Sequence, residues 1–324
     1  MRVSESNEKK GRRSGRTLPF LYYIAAIGRE LIPRPLRRLQ RWLTLRNWEK
    51  RPDADYIRSR VDFYCRRHFR SCYFSVKASD IKVGKITCPS SYIYDVRRYL
   101  RGFQSSLLLN FFGGDTFANP GVPTIMRSRR LDFKCDNGVL LNLDSRRHFL
   151  RPQDPVEFSD KKPLLLFRGV MKDKPHRIRF FEMWKDSPLM DIADTTPPYD
   201  IPGHSRPLSI ADHFDYQFIL VLEGNDVASA LQWVMASNCV PVMTRPTVEG
   251  WLMHSRLIPG VHYIQIADDF SDVEEKIRYY TDHSHEAELI ARESKEWAKQ
   301  FNDTRRENII SYLVLEKYFR DEDS

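Results

Sequence analysis

The sequence predicts an α/β fold built on a parallel sheet, and three features of its second half predict it. Residues 218–222 (FILVL) form a short continuous apolar run that stops at Glu223-Gly224-Asn225-Asp226, as a buried strand stops in a turn. Immediately after, Val227, Leu231, Val234 and Met235 recur at the spacing of one helix face, which predicts a helix over residues 227–237. Further apolar runs at 240–244 and 262–267 complete a strand–turn–helix–strand order, the repeating unit of a parallel sheet. In such sheets ligands sit beyond the carboxyl ends of the strands, and a helix N-terminus there turns its free N–H groups toward an anion. The turn at 223–229 is therefore expected to accept a nucleotide diphosphate.

The remaining elements follow the same logic. The run PLLLF at 163–167 is a buried strand, and helices are expected near 177–185, 271–282, 285–301 and 304–320. Ser271 and Glu274 have the spacing of a capping box at the start of the helix expected over 271–282. Upstream, Ile57, Val61 and Tyr64 mark a helix within 55–68, and another is expected over 92–103. Strands are expected at 107–112, closed by Gly113-Gly114-Asp115, and at 139–143. A polar, Pro-containing stretch at 152–162 divides the chain, so three parts are predicted: a basic extension (1–54), a first domain (55–160) and a second domain (161–324).

Charge and cysteines narrow the setting. Five cysteines, an odd number without C-x-x-C spacing, argue against a disulfide framework or a structural zinc site and for a reducing, cytosolic compartment. The net charge of +9 is concentrated at one end: residues 1–70 carry 19 Lys and Arg against 7 Asp and Glu. Residues 1–16 are expected to be disordered. The apolar run LPFLYYIAAI at 18–27 is too short to span a bilayer, and no signal-peptide cleavage site follows it. Leu36, Leu39, Trp42 and Leu43 are then interleaved with Arg34, Arg37, Arg38 and Arg41. This mixture predicts an amphipathic helix at an anionic membrane surface, and equally allows a helix packed on the body with its arginines in water. No aromatic–basic RNA-binding motif is present, so a nucleic-acid partner is not expected.

The blocks YQFILVLEGNDVASALQWVMASN, EGW, LIPGVHYIQIADDFSD, LLLFRGVMKDKPHRIRFFE and FGGDTFANPGVPTIMRSRRLD together resemble glycosyltransferase family 90 over residues 55–319. The similarity is to its bacterial lipopolysaccharide-core branch, with protein O-glucosyltransferases and capsule xylosyltransferases more distant. The resemblance implies a GT-B arrangement, two Rossmann-like domains facing across a cleft. It also implies inverting transfer of a hexose from a nucleotide sugar, usually UDP-linked, to a lipid-linked saccharide acceptor at the inner face of the inner membrane. No metal or other cofactor is implied. The only Asp-x-Asp spacings, at 53–55 and 321–323, lie in a linker and in the tail. A protein O-glycosyltransferase and a non-catalytic glycan- or nucleotide-binding protein are the alternatives.

Inverting transfer needs one base and positive charge where the diphosphate leaves. Asp115, projecting from the Gly113-Gly114 turn, matches the family's catalytic aspartate, although a Gly-Asp pair also suits an Asx turn. Asp95, Asp132 and Asp144 are secondary candidates. Arg168 and Gly169 end a strand, and Arg177 fits the family spacing from Arg168 with one residue inserted, so these three are expected at the diphosphate, with Arg179 at the surface. Glu223 is expected at ribose, Gly224, Asn225 and Ser229 at the diphosphate, and Asp226 as the cap of the following helix. The chain departs from the eukaryotic members at Ala230 to Gln232, where they carry an Arg, and at Gln217, where Lys is common. Arg127 and Arg129, together with Arg130, Arg146 and Arg147, suit an acceptor bearing phosphate or carboxylate, or else a solvated face. His148, His213 and His262 lack metal-ligand spacing, and Trp251 suits either a stacked ring or the core.

Overall fold

The computed structural model describes residues 14–66, 75–115, 119–131, 137–143, 145 and 152–320. The first half is helical with short strands. Helices α1 (Ser14–Leu31), α2 (Arg34–Leu45) and α3 (Ala54–Tyr64) are followed by β1 (Val76–Lys77), α4 (Ser90–Leu100), β2 (Leu108–Leu109), β3 (Thr124–Met126), β4 (Ser128–Arg130) and β5 (Gly138–Leu140). Pro35 lies in the first turn of α2, where a missing N–H has no intrahelical acceptor to lose. Strands β1 and β2 pair antiparallel and β3 and β5 parallel.

The second half runs β6 (Lys162–Gly169), α5 (Pro175–Trp184), β7 (Met190–Asp194), α6 (Ile210–His213), β8 (Tyr216–Leu220), α7 (Leu231–Met235), β9 (Val240–Met243), β10 (Val248–Gly250), β11 (Ile264–Gln265), α8 (Val273–Asp282), α9 (Ser284–Lys299) and α10 (Thr304–Phe319). Five of these strands form one parallel sheet in the order β11-β9-β8-β6-β7. The chain leaves β6 toward β7 on one side and then returns to lay β8 on the other. The order therefore reverses between β6 and β8, and in open parallel sheets that reversal opens a crevice at the strands' carboxyl ends.

Alternation along the strands divides the interior into two cores. Leu165, Phe167, Phe218, Leu220, Val240 and Val242 face one side, where Val273 and Ile277 of α8 and Ile290 and Ala291 of α9 cover them. Leu166, Ile219, Val221 and Met243 face the other, with Leu231, Val234 and Met235 of α7 and the apolar residues of the first half. Both faces are buried, which is why the strands read as unbroken apolar runs. Helix α10 leaves the sheet and packs against α2 and α3. There the buried Arg60 bonds both carboxylate oxygens of Glu307, which also accepts from the Trp251 indole N–H at 2.6 Å.

Several expectations need correction. The helix expected over 227–237 is confined to residues 231–235, and 223–230 form a loop. Its cause is Asp226, whose carboxylate is drawn to Arg127 and Ser128, tying the backbone away from helix. The capping box also fails: Ser271 Oγ donates to Asp269, and α8 starts two residues later than its expected position. Strand β7 was not anticipated, and the strand expected over 262–267 has only two residues. The dividing stretch is anchored to the second half, where the fully buried side chains of Lys161 and Asp154 pair at 2.9 Å and Asp154 accepts the Asn238 N–H. In the first half the described strands are two or three residues long.

Candidate active site

A cavity of about 450 Å³ lies at the reversal point. Asp115, Arg127, Arg168, Gly169, Arg177, Gly224, Asn225 and Ser229 all line it, so seven of the eight residues expected to act on donor or acceptor proton, together with Arg127, meet at one place. Leu208, Ile210, His213 and Trp233 add an apolar stretch of wall. The volume is that of an ordinary small-molecule site.

Arg177 is fixed by backbone. Its guanidinium donates to the carbonyls of Val170, Leu222 and Glu223 at 3.0, 2.9 and 3.1 Å, and no carboxylate among the described residues pairs with it. Burial pushes its pKa below the ordinary arginine value, yet an arginine stays charged at any physiological pH. Gly224 sits against it: a Cβ there would lie 3.4 Å from the Arg177 guanidinium. His176 bonds the Glu223 carbonyl through Nε2 at 2.8 Å, which fixes the same turn from α5. Lys174, which the sequence reading overlooked, donates from Nζ to the side chain of Asn225, a lining residue.

Arg168 is differently placed. Its guanidinium pairs with the Asp191 carboxylate at 2.5 Å and with the Asp191 carbonyl at 2.7 Å. Burial opposes ionisation of Asp191, but the Tyr216 hydroxyl and Arg168 outweigh it and hold that carboxyl below its usual range. Tyr216 is in turn pushed up to about 12 by burial and by its bond to Asp191. Gly169 is needed for packing as much as for approach, since a Cβ there would meet the Phe167 ring at 2.7 Å. The His213 imidazole bonds the Ser209 carbonyl through Nδ1 at 2.7 Å, and burial and the Arg168 charge lower its pKa.

Arg127, also in the cavity lining, links two carboxylates from different halves of the chain. It reaches Asp115 Oδ1 at 2.8 Å and Asp226 Oδ2 at 3.0 Å, and Ser128 Oγ donates to the same Asp226 oxygen at 2.5 Å. Asp226 is buried, whereas the Asp115 side chain keeps 36% of its surface exposed. The ribbon of β4 and β10, antiparallel with Ser128 opposite Gly250, holds this junction together. Asp226 therefore caps no helix. It is the buried anchor of Arg127, and only the tertiary pairing reveals that.

Two further assignments are corrected. Glu223 is absent from the cavity wall: its carboxylate accepts from Thr247 N and Oγ1 at 3.0 and 2.5 Å and from Val248 N at 3.3 Å, fastening the loop into β10. Arg129 presents no charge to an acceptor, because its guanidinium is buried and donates to the carbonyls of Phe63 and Gly138 at 2.7 and 3.0 Å. Trp251 belongs to the core, stacked on Tyr64 with ring centroids 4.0 Å apart. Asp95 is buried and accepts from Tyr22 and Ser145, and burial raises its pKa. His262 accepts the Ile258 N–H at 2.9 Å, a local role, and Arg179 is exposed. Asp132, Asp144, Arg146, Arg147, His148 and the arm 1–13 lie outside the described residues. Among the described residues no group of three or more His, Cys, Asp and Glu side chains could hold a metal ion.

The architecture is that of an α/β enzyme whose cleft opens at the sheet's reversal point. Residues 142–319, more than half the chain, match glycosyl transferase family 90, and the chain belongs to that family of glycosyl-transferring enzymes. It is 39% identical over 236 residues to O-glucosyltransferase LpsA of Dichelobacter nodosus, covering 71% of this chain and 73% of that protein. It is also similar to protein O-glucosyltransferase 2 of Danio rerio (32% over 92 residues, 28% of this chain and 18% of that protein). With protein O-glucosyltransferase 3 of Homo sapiens it shares 24% over 166 residues, 49% of this chain and 32% of that protein. The chain thus matches a third or less of the two animal proteins. Asp115 and Arg127 lie upstream of the family match, so their case rests on the geometry of the cavity.

Proposed function

We propose that the protein is an inverting glycosyltransferase of GT-B-like, two-lobed organisation that moves a hexose from a UDP-linked donor to a saccharide. The observation that carries this reading is the shared cavity: Asp115, Arg177, Gly224, Asn225 and Ser229 converge where the sheet order reverses. Asp115 takes the proton of the acceptor hydroxyl as its oxygen attacks the anomeric carbon. The bond from that carbon to the diphosphate oxygen breaks, and the electron pair leaves with the diphosphate. Arg177 and the Gly224–Asn225 turn face the charge that accumulates there, with Arg168 and Lys174 beside them. Protein cations thus do the work that a metal does in other sugar transferases, so no divalent ion is required. Leu208, Ile210, His213 and Trp233 suit the flat face of the base.

A glucosyl donor is favoured by the activity for which the bacterial relative is named, and a lipid-linked core saccharide is the acceptor class that the bacterial-branch resemblance implies. Transfer to protein is less supported, since the animal relatives match only short segments.

UDP in excess of its Kd should raise the melting temperature by several degrees with EDTA present. A hundredfold excess over Kd is worth about 2.7 kcal/mol of stability. No shift, or a shift that needs manganese, would contradict the donor site.

A further inference from the structure

We infer that α1 and α2 form a docking surface for a bilayer carrying anionic headgroups, a partner beyond the donor and the acceptor sugar. Each helix has two faces. On α1, Tyr22 bonds Ser91 O and Asp95, Ala26 is buried, and Glu30 pairs with Arg97 and Arg101, which fixes one side to the body. The other side carries Phe20, Ile24, Ile27 and Leu31, spaced so that they fall within one narrow stripe, and all are exposed, Leu31 at 79%. On α2, Arg37 is buried and bonds the Arg29 carbonyl, and Arg41 pairs with Glu316 of α10. Its outward arc holds Leu36, Leu39, Trp42 and Leu43, each about half exposed. Two consecutive helices with apolar stripes in solvent are not the ordinary scatter of surface hydrophobes.

Charge selects the occupant. Arg38 and Arg46 flank Trp42 and have no carboxylate partner among the described residues, and with Trp48 they line a groove of about 520 Å³. Arginine and tryptophan beside leucine match the headgroup level of a bilayer, where the ring sits at the interface and the guanidinium meets phosphate. Residues 1–13 offer only Met1 and Val3 as apolar side chains and five Lys and Arg, so this segment has little with which to cover the stripes. A second copy would bring its own arginines against these. No helix among the described residues is long and apolar enough to cross a membrane, so the contact is peripheral.

The test is co-sedimentation of the full chain with phosphatidylcholine vesicles, with and without phosphatidylglycerol. Binding should require phosphatidylglycerol and weaken with salt. Leu39→Asp with Leu43→Asp should lower the partition coefficient about tenfold or more. Arg38→Ala with Arg46→Ala should lower it about fivefold per arginine. These positions are exposed, so melting temperature and the UDP-induced shift should stay as in the parent, which separates this outcome from failure of the donor site. Equal binding to neutral vesicles would overturn the proposal. So would light scattering that shows a dimer converted to monomer by the leucine changes with vesicle binding intact.

Discussion

Of the arginine–carboxylate clusters that join the halves of this molecule, two stand in contrast: one is sealed in the interior and the other is open to the cleft. In the sealed cluster Arg60 of α3 meets Glu307 of α10, and the neighbouring Tyr64 hydroxyl and Trp251 indole occupy the remaining donors and acceptors. In the open cluster Arg127 spans Asp115 and Asp226, but only Asp226 is buried, and Asp115 keeps an oxygen that no described residue bonds. The same chemistry serves two ends. Where every polar atom is paired away from water the cluster holds the fold, and where one carboxylate faces a cavity it can exchange a proton with a ligand.

The contrast is sharpest in Glu307→Ala, which leaves Arg60 charged and buried. Unfolding free energy should fall by about 3–5 kcal/mol, measured by denaturant titration, while turnover per folded molecule changes little. A loss of turnover without a loss of stability would erase the distinction between the clusters. Arg177→Ala should do the reverse with a smaller free-energy effect. Removing a charge-assisted contact costs about 1.5–3 kcal/mol, so UDP affinity should drop about ten- to a hundredfold in calorimetry, and uridine affinity far less. Equal losses for UDP and uridine would move the diphosphate away from Arg177.

How far the sequence disclosed this arrangement depends on the range of the forces involved. Strands β6, β8 and β9 are buried on both faces, so their residues are apolar without interruption and plain in one dimension. Strand β7 was hidden because Asp191 and Asp194 break its apolar run: one pairs with Arg168, and the other bonds the Thr196 and Met171 amides. The ribbon of β4 and β10 has three residues per strand, too few for a period, and exists through pairing across more than a hundred residues. Local spacing also misled. Asp226 stands where a helix cap belongs, and Glu223 where a ribose ligand belongs, but Arg127 and the Thr247 amide claim them. Arg129 looks like any arginine in a basic run until carbonyls of helix α3 and strand β5 close around it. Of the cavity residues, Arg168 and Gly169 were legible from their place at the end of β6, whereas Asp115 and Arg177 were reached through the family resemblance.

The central claim is that Asp115 is the proton acceptor in a cleft whose other groups hold the donor. Asp115→Asn keeps the shape and removes the basic oxygen, so turnover of a UDP-sugar should fall about a hundred- to ten-thousandfold while UDP affinity stays within about twofold of the parent. Undiminished turnover in that variant, with UDP still bound, would contradict the account.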